Sequence, residues 1–566
     1  MNCENDINNL YNLININYHN KNYIETIKYC KLCLNITNKD QDQILTIMGN
    51  SFFLLTKYND VILTFKKIQN KSKENYEHLI SSAYILNNSD IVKKYCIEYY
   101  NKFDNDRKLY IDIFGKLFIS SIKSSYINLL FNRYEHVNNL NNYNNIKIMT
   151  DFENLIEPYS SSLTFNLSYN NLNNINIFRK ACLIFRKIVP QLNYISAHCK
   201  NYIINKNKKI KIGFISYYFK EHSVTKDRRG IIKLLDRNIF DVYTLFLNEI
   251  VDNIGEDIKN STIYIKLENT LSKIQKQISE LELDILIYCE IGMNMIIYYL
   301  SFLRFAPIQI NTWDHPDTSG VDSIDYFISS KLFEKQYAQK HYSEKLILNN
   351  GICTYYYNPI KYIDNIIYND KLLELCKNRN IYFCPGTLFK ILPSMDIIFK
   401  KVLEKDNDAT IIFINFETHK ESLENRLKNI LDISRILFIP LVFDKQYFFS
   451  LINSSDVLID TYSFGGGNTS LEAFSINKPI VILPGKFANS RITYGYYSKM
   501  NLFDLIANNF DEYIDISIKL GIDKKYNKYI CNEIRRKSFI LYENIETIYE
   551  WNNLLKNLYY NLYSYA

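Results

Sequence analysis

Apolar positions in the first 135 residues recur at three- and four-residue steps, the period of helices that bury one face. Asn22-Tyr23, Lys57-Tyr58 and Asp90-Ile91 each close one such run and open the next, at spacings of 35 and 33 residues. That is close to the roughly 34-residue period of tetratricopeptide helix pairs. In the middle unit Gly49 falls where such a pair needs a small residue, and Val61, Phe65 and Ile68 follow as a buried stripe. Ile14 and Ser82 hold the same place in the other units and suit it less well. A generic helical bundle would share the periodicity. Either way, residues 1–135 are expected to be α-helical and to carry no catalytic constellation. Residues 136–206, where Asn-rich turns alternate with runs such as Phe178–Ile188, read as a helical linker.

The period then changes. Lys209–Ser216 is an apolar strand ending in a loop, with a helix expected from about Asp227. Further strands are expected at Asp284–Tyr288, Gln309–Thr312, Asp325–Ser329, Ile381–Cys384, Thr410–Ile414, Arg435–Ile439, Asp456–Asp460 and Pro479–Leu483. Helical segments between strands imply parallel, doubly wound sheets. The Tyr- and Asn-rich break near Asn350–Asp370 divides them into two Rossmann-like domains, 207–360 and 361–566. The fold class expected is therefore α/β of the GT-B kind, two Rossmann-like domains behind a tetratricopeptide-like arm. Some nucleotide-sugar epimerases share that architecture.

Composition alters this picture little. Hydrophobic residues are 47% and charged residues 22% of the 566, enough apolar surface for large cores. The excess of Asn, Ile, Lys and Tyr resembles the imprint of an AT-rich genome. The net charge of +7 is spread without a basic block and does not point to nucleic acid. Eleven scattered Cys, with one CxxC (Cys30 and Cys33) on a helical pattern, read as reduced thiols and fit a cytoplasmic protein. The polar start lacks a signal-peptide profile. The most apolar stretch, Ile285–Ile310, is interrupted by Glu290, Asn294 and Arg304, so no membrane partner is expected.

Candidate chemistry concentrates at strand ends. After the Asp456–Asp460 strand come Gly465, Gly466 and Gly467, then Asn468, Thr469 and Ser470 opening a helix. Glycines there allow positive φ and close backbone approach, and the unpaired N–H groups of a helix start suit a diphosphate. Lys390, in Cys384-Pro-Gly-Thr-Leu-Phe-Lys390, would add an ammonium at a strand's carboxyl end. His222, in a chain with only eight His, follows the first strand and is a candidate base. Asp104-Asn-Asp106 and Asp406-Asn-Asp408 imitate metal motifs but sit in polar turns, and are read as solvated. No metal and no cofactor are expected.

These stretches, in this order, resemble the O-GlcNAc transferase family, with its SPINDLY-like members and the related cytoplasmic N-glucosyltransferases. The resemblance runs from about Ser196 to Lys519. It is carried by Ile210–Ser216 with Glu221-His-Ser223, Glu290-Ile-Gly-Met293 and Arg304-Phe-Ala-Pro-Ile-Gln309. Trp313–Gly320, Ile324–Ser329 and Tyr342–Leu346 continue it in the same half. In the second half it rests on Leu388-Phe-Lys390, Phe464–Ala473, Leu483-Pro-Gly485 and Ser490-Arg491. The resemblance implies that Thr387 and Lys390 bind the donor diphosphate and that Gly466, Gly467, Asn468 and Thr469 cap it. It also implies that Glu472 holds the ribose, that Pro440 and Val442 read uracil, and that Tyr447 stacks on the base. His222, Gly292, His315 and Pro316 would line the sugar and acceptor side, with His222 and Lys390 serving the chemistry. Three positions depart from the family's pattern. Tyr218 replaces an acidic residue, Asp314 a glycine, and Ser463 a position where bacterial members often carry His or Pro.

The function implied is transfer of N-acetylglucosamine or glucose from a UDP-sugar, without metal, to a polypeptide side chain, with protein acceptors met through the helical arm. The alternatives are the same fold acting on a glycan or small molecule, a repeat scaffold with a degenerate transferase half, and a sugar-nucleotide epimerase or hydrolase.

Overall fold

The computed structural model describes residues 2–37, 40–86, 91, 94–95, 98–99, 102, 165–362, 377–415, 417–440 and 444–561. They belong to two compact units, a helical one within the first 120 residues and a larger one holding two sheets.

The helical unit contains Asn2–His19, Tyr23–Ile36, Gln41–Leu54, Tyr58–Lys66 and Lys73–Ile85, each helix packed on the next. The turns expected at Asn22-Tyr23 and Lys57-Tyr58 open helices at Tyr23 and Tyr58. Asp90 and residues 103–135 lie outside the described residues. Cys30 and Cys33 are both buried on one face of their helix. Gly49 is where two helices meet: a Cβ there would stand 2.1 Å from Cε1 of the buried Phe65 ring. Gly49→Ala is therefore expected to destabilise this unit by about 1–3 kcal/mol through overpacking. Chemical denaturation would read the shift, and Phe65→Leu should restore part of it.

In the larger unit the first sheet comprises β1 (Ile210–Ser216), β2 (Phe240–Phe246), β3 (Ile263–Lys266), β4 (Ile285–Tyr288), β5 (Ile308–Thr312), β6 (Tyr326–Ser330) and β7 (Lys345–Asn349). The second comprises β8 (Asn380–Cys384), β9 (Ala409–Asn415), β10 (Ile436–Pro440), β11 (Val457–Ile459) and β12 (Ile480–Val481). Their orders are β3-β2-β1-β4-β5-β6-β7 and β10-β9-β8-β11-β12, and all pairs are parallel. Helices cover both faces, so the inner strands are almost wholly buried, and Ile212–Ile215 of β1, all of β4 and Ile381–Cys384 of β8 read as unbroken apolar runs. This is a GT-B fold.

Strand order reverses beside β1, which pairs with β2 and β4, and beside β8, which pairs with β9 and β11. Open α/β sheets bind ligands outside the carboxyl ends at such switch points. The last helix, Ile545–Tyr560, returns from the second sheet to bury Ile548, Trp551 and Leu555 in the core of the first. Trp551 Nε1 donates to the Cys353 carbonyl at 3.1 Å, so 361–566 does not pack solely around β8–β12. No described helix is long and apolar enough to cross a membrane.

Two local expectations change. Asp406 is buried rather than solvated, because its carboxylate accepts from Asn380 Nδ2 (2.9 Å), the Tyr382 hydroxyl (2.8 Å) and the Asp408 N–H (3.0 Å). It ties the amino ends of β8 and β9, away from the ligand edge. The helix expected from Asp227 begins at Ser223, because His222 caps it. Asp104-Asn-Asp106 lies outside the described residues.

Candidate active site

The carboxyl ends of β8 and β11 enclose one cavity lined by Gly386, Lys390, Asp460, Thr461, Gly466 and Thr469. Lys390 lies in a 3₁₀ turn, Leu388–Lys390, that Ser463 Oγ steadies by donating to the Lys390 carbonyl at 3.2 Å. Its ammonium stands 4.5 Å from the Phe464 ring centroid and 5.9 Å from that of Tyr169. It has no carboxylate within ion-pairing distance among the described residues. Burial lowers its pKa to about 8, against the opposing pull of Asp460. An ammonium held between two rings is stabilised by their π faces but stays short of solvation, which an incoming anion would supply. Thr387 Oγ1, on the same turn, is buried with no hydrogen-bond partner among the described residues.

The glycine loop is organised by Asp460, a residue the motif reading did not single out. Its Oδ1 accepts from the N–H groups of Thr461 (2.9 Å) and Gly466 (2.8 Å). Tyr513 donates to its backbone carbonyl at 2.8 Å. None of the three glycines adopts positive φ, contrary to expectation. Their use is space: a Cβ on Gly465 would meet Asp460 Oδ2 at 2.8 Å, and one on Gly466 would meet Ser470 Oγ at 2.5 Å. Gly467 precedes the helix Asn468–Ser475, whose first N–H groups have no side-chain cap.

Two residues expected on the nucleotide face instead meet the first sheet's domain. Asn468 Nδ2 donates to Asp227 Oδ2 at 2.9 Å, and its Oδ1 accepts from the Tyr356 hydroxyl at 2.8 Å. Its side chain is thus committed, and only its backbone N–H is left for capping a ligand. Glu472 pairs with Lys226 at 2.8 Å, and Lys226 also lies 3.4 Å from Glu221. Pro440 is exposed at the end of β10, Tyr447 is half-buried on the helix Lys445–Ser454, and Val442 lies outside the described residues.

Across the cleft, β1 ends beneath His222. Nδ1 of His222 accepts from the Val224 N–H at 3.3 Å, and the ring stacks on Tyr218 with centroids 4.1 Å apart. A ring nitrogen that accepts carries no proton, so the neutral imidazole holds its hydrogen on Nε2 and acts as a donor. Burial, then Lys220 and Lys226, lower its pKa to about 4. The cap occupies the Nδ1 lone pair, so in this arrangement the ring presents a donor rather than an acceptor beyond the helix. Gly292, after β4, does take positive φ (103°) in the turn that carries Glu290. Glu290 is buried, accepts the Tyr217 N–H at 2.7 Å, and is pushed up to about 8 chiefly by burial, so it is a neutral acid near pH 7. Asp314 is buried in an ion pair with Arg228, which itself lies over Trp313.

His315 and Pro316 follow β5, and His315 meets a segment of the expected linker, 136–206. The 3₁₀ turn Phe165–Asn170 packs Phe165 on His315 and Phe389, and Tyr169 on Phe389 and Phe464. It therefore touches loops of both sheets. Pro316 lines a pocket with Asn174, Asp317 and Asn489. Nothing periodic marks Phe165–Asn170 in the sequence; its only signal is the pair of aromatics spaced to reach two loops.

The family model of glycosyl transferase family 41 matches residues 155–356 and 364–546. A probable UDP-N-acetylglucosamine–peptide N-acetylglucosaminyltransferase SPINDLY of Solanum lycopersicum is 24% identical over 232 residues, 39% of this chain and 24% of that protein. The SEC protein of the same description from Arabidopsis thaliana is 21% identical over 345 residues, 58% of this chain and 34% of that protein. The chain thus matches a quarter to a third of the length of these curated relatives. A solved structure of a mutant O-GlcNAc transferase from Thermobaculum terrenum superposes with a TM-score of 0.69 at 16% identity, covering 99% of both chains. With both sheet domains inside the family match and the same architecture in a solved relative of the fold, the chain belongs to glycosyl transferase family 41.

Proposed function

We propose that this glycosyltransferase moves N-acetylglucosamine or glucose from a UDP-sugar to a polypeptide side chain, with acceptors met through its helical repeats and the cytoplasm as its setting. The observation that carries the reading is Lys390, a desolvated ammonium without an ion-pair partner among the described residues, beside the uncapped start of a helix in one cavity. Both groups stabilise a diphosphate, and stabilise it more as it departs with extra charge. Thr387, Gly466, Gly467 and Thr469 complete that binding face, and Asn468 contributes its backbone. Glu472 would exchange Lys226 for the ribose hydroxyls, while Pro440, Val442 and Tyr447 would hold the uracil. His222 donates from Nε2 and orients sugar and acceptor; Gly292, His315 and Pro316 form the wall beside them. Charge on the leaving group is met by Lys390 and the helix start, so no metal is required. The names of the relatives, which describe peptide N-acetylglucosaminyltransferases, support the acceptor class.

The test is incubation of the full chain with UDP-N-acetylglucosamine or UDP-glucose and a cell lysate, followed by peptide mass spectrometry. Polypeptides gaining one N-acetylhexosamine or hexose, undiminished by excess EDTA, are expected. UDP release with modification confined to glycans would replace the acceptor class. Failure to bind any uridine nucleotide would overturn the reading.

A further inference from the structure

Ser168 belongs to the turn Phe165–Asn170, ahead of β1, yet its side chain joins two residues after β5. Its Oγ lies 3.0 Å from His315 Nε2 and 2.9 Å from Asp317 Oδ2. Asp317 also accepts from Asn174 Nδ2 at 2.5 Å and from the Thr318 N–H at 2.9 Å. Three donors aimed at one carboxyl group favour its ionised, acceptor-only form. The single hydroxyl hydrogen of Ser168 therefore goes to Asp317. Its contact with His315 can then only be Nε2–H donating to Oγ. From this hydrogen count we infer that Ser168 and Asp317 lock His315 as the Nε2–H tautomer, leaving Nδ1 as a fixed hydrogen-bond acceptor for a hydroxyl or amide N–H of the donor sugar.

The surroundings hold this arrangement in place. Phe165 stacks on the imidazole at 15° with centroids 5.6 Å apart. Asn489, from the second sheet's domain, donates to the Ser168 carbonyl at 2.8 Å. Nδ1 of His315 has no hydrogen-bond partner among the described residues. Burial and the Lys390 charge lower the pKa of the ring to about 3, so it stays neutral while it accepts. Phe165 packs on both His315 and Phe389, the neighbour of Lys390, and Tyr169 of the same turn lies 5.9 Å from the Lys390 ammonium, which sets His315 next to the proposed diphosphate site, on the side left for the sugar of a UDP-sugar. An acceptor on a side chain this little exposed disfavours a ligand that cannot donate, because such a ligand displaces water from the lone pair and leaves it unpaired. Ser168 and Asp317 are positioning residues in this scheme. The sugar role rests on the UDP-sugar reading; the tautomer does not.

The full chain labelled with ¹⁵N-histidine, with His315 assigned by the signals missing in His315→Gln, is expected to show the Nε2–H pattern from pH 5 to 8. In Asp317→Asn the amide can donate to Ser168, turning the hydroxyl hydrogen toward Nε2, and the ring should flip to Nδ1–H. Ser168→Ala should remove the bias. Both variants should raise the donor KM about tenfold while UDP affinity, by calorimetry, stays within about threefold. An Nδ1–H ring in the wild type, or wild-type tautomer and KM in both variants, would overturn the inference. If the wild type bound no UDP, the sugar role would fall with the donor reading, and the tautomer would still be decided by the NMR spectra.

Discussion

Lys390→Met is expected to weaken UDP binding about a hundredfold, or about 2–3 kcal/mol, while leaving the fold intact. The ammonium is buried against Phe464 and Tyr169 and lacks an ion-pair partner among the described residues, so the folded protein loses little with it. Methionine fills similar volume without a charge to desolvate, and the melting temperature should hold or rise. The pH dependence gives a second reading of the same group. Its pKa in the free protein is about 8, and a bound diphosphate would raise it. Binding therefore favours the protonated form: affinity is fully present below pH 8 and falls as pH rises through that value, by up to about tenfold per unit. Calorimetry from pH 6.5 to 9.5 should show this fall in the wild type and a flatter profile in Lys390→Met. Equal affinities across the range would remove Lys390 from the nucleotide site.

The second large effect is expected at His222, and the two substitutions should part company. His222→Ala loses the Nε2–H donor and the cap on Val224, and should slow transfer by about 10², the scale for misplacing reacting groups. UDP affinity should change only a few-fold, because the phosphate contacts belong to the facing domain. His222→Asn keeps both functions, an oxygen to cap the helix and an N–H to donate, and should retain most of the turnover. Since the ring is neutral above about pH 4, kcat/KM should carry no inflection from it between pH 5 and 7. Equal loss in the Asn and Ala variants, with an inflection in that window in the wild type, would restore the base role.

Much of the architecture was legible because burial on both faces writes itself as an unbroken apolar run. β1, β4, β8 and β9 are of this kind, and each was found within a residue of its position. β3 and β7, at the two edges of the first sheet, are half-exposed and lack such a run, so they were not read. β2 is broken by Asp241, Tyr243 and Thr244 and likewise carries no such run. Gly49 was readable because a helix pair at a 34-residue period requires a small residue at that point, and Phe65 occupies the space.

The candidate site divides along the same line. Strand ends, the run of glycines, Lys390 and His222 follow from residue type and from the step between strand and helix, which are local. Local chemistry cannot say which atom a side chain faces once two domains close on each other. Asn468 and Glu472 were read as ligand-facing, yet Asp227 and Lys226 on the opposite domain claim their side chains. Gly465 and Gly466 serve clearance rather than positive φ, because Asp460 and Ser470 fold over the loop. His222 becomes a donor only because the helix starts at Ser223 and uses Nδ1 for its cap. Phe165–Asn170 enters the site by bridging loops more than a hundred residues away, a contact with no period and no motif. Which elements form depends on burial and periodicity, and the sequence determined most of that. How each polar group spends its few hydrogen bonds depends on neighbours from distant segments, and only the tertiary structure decided it.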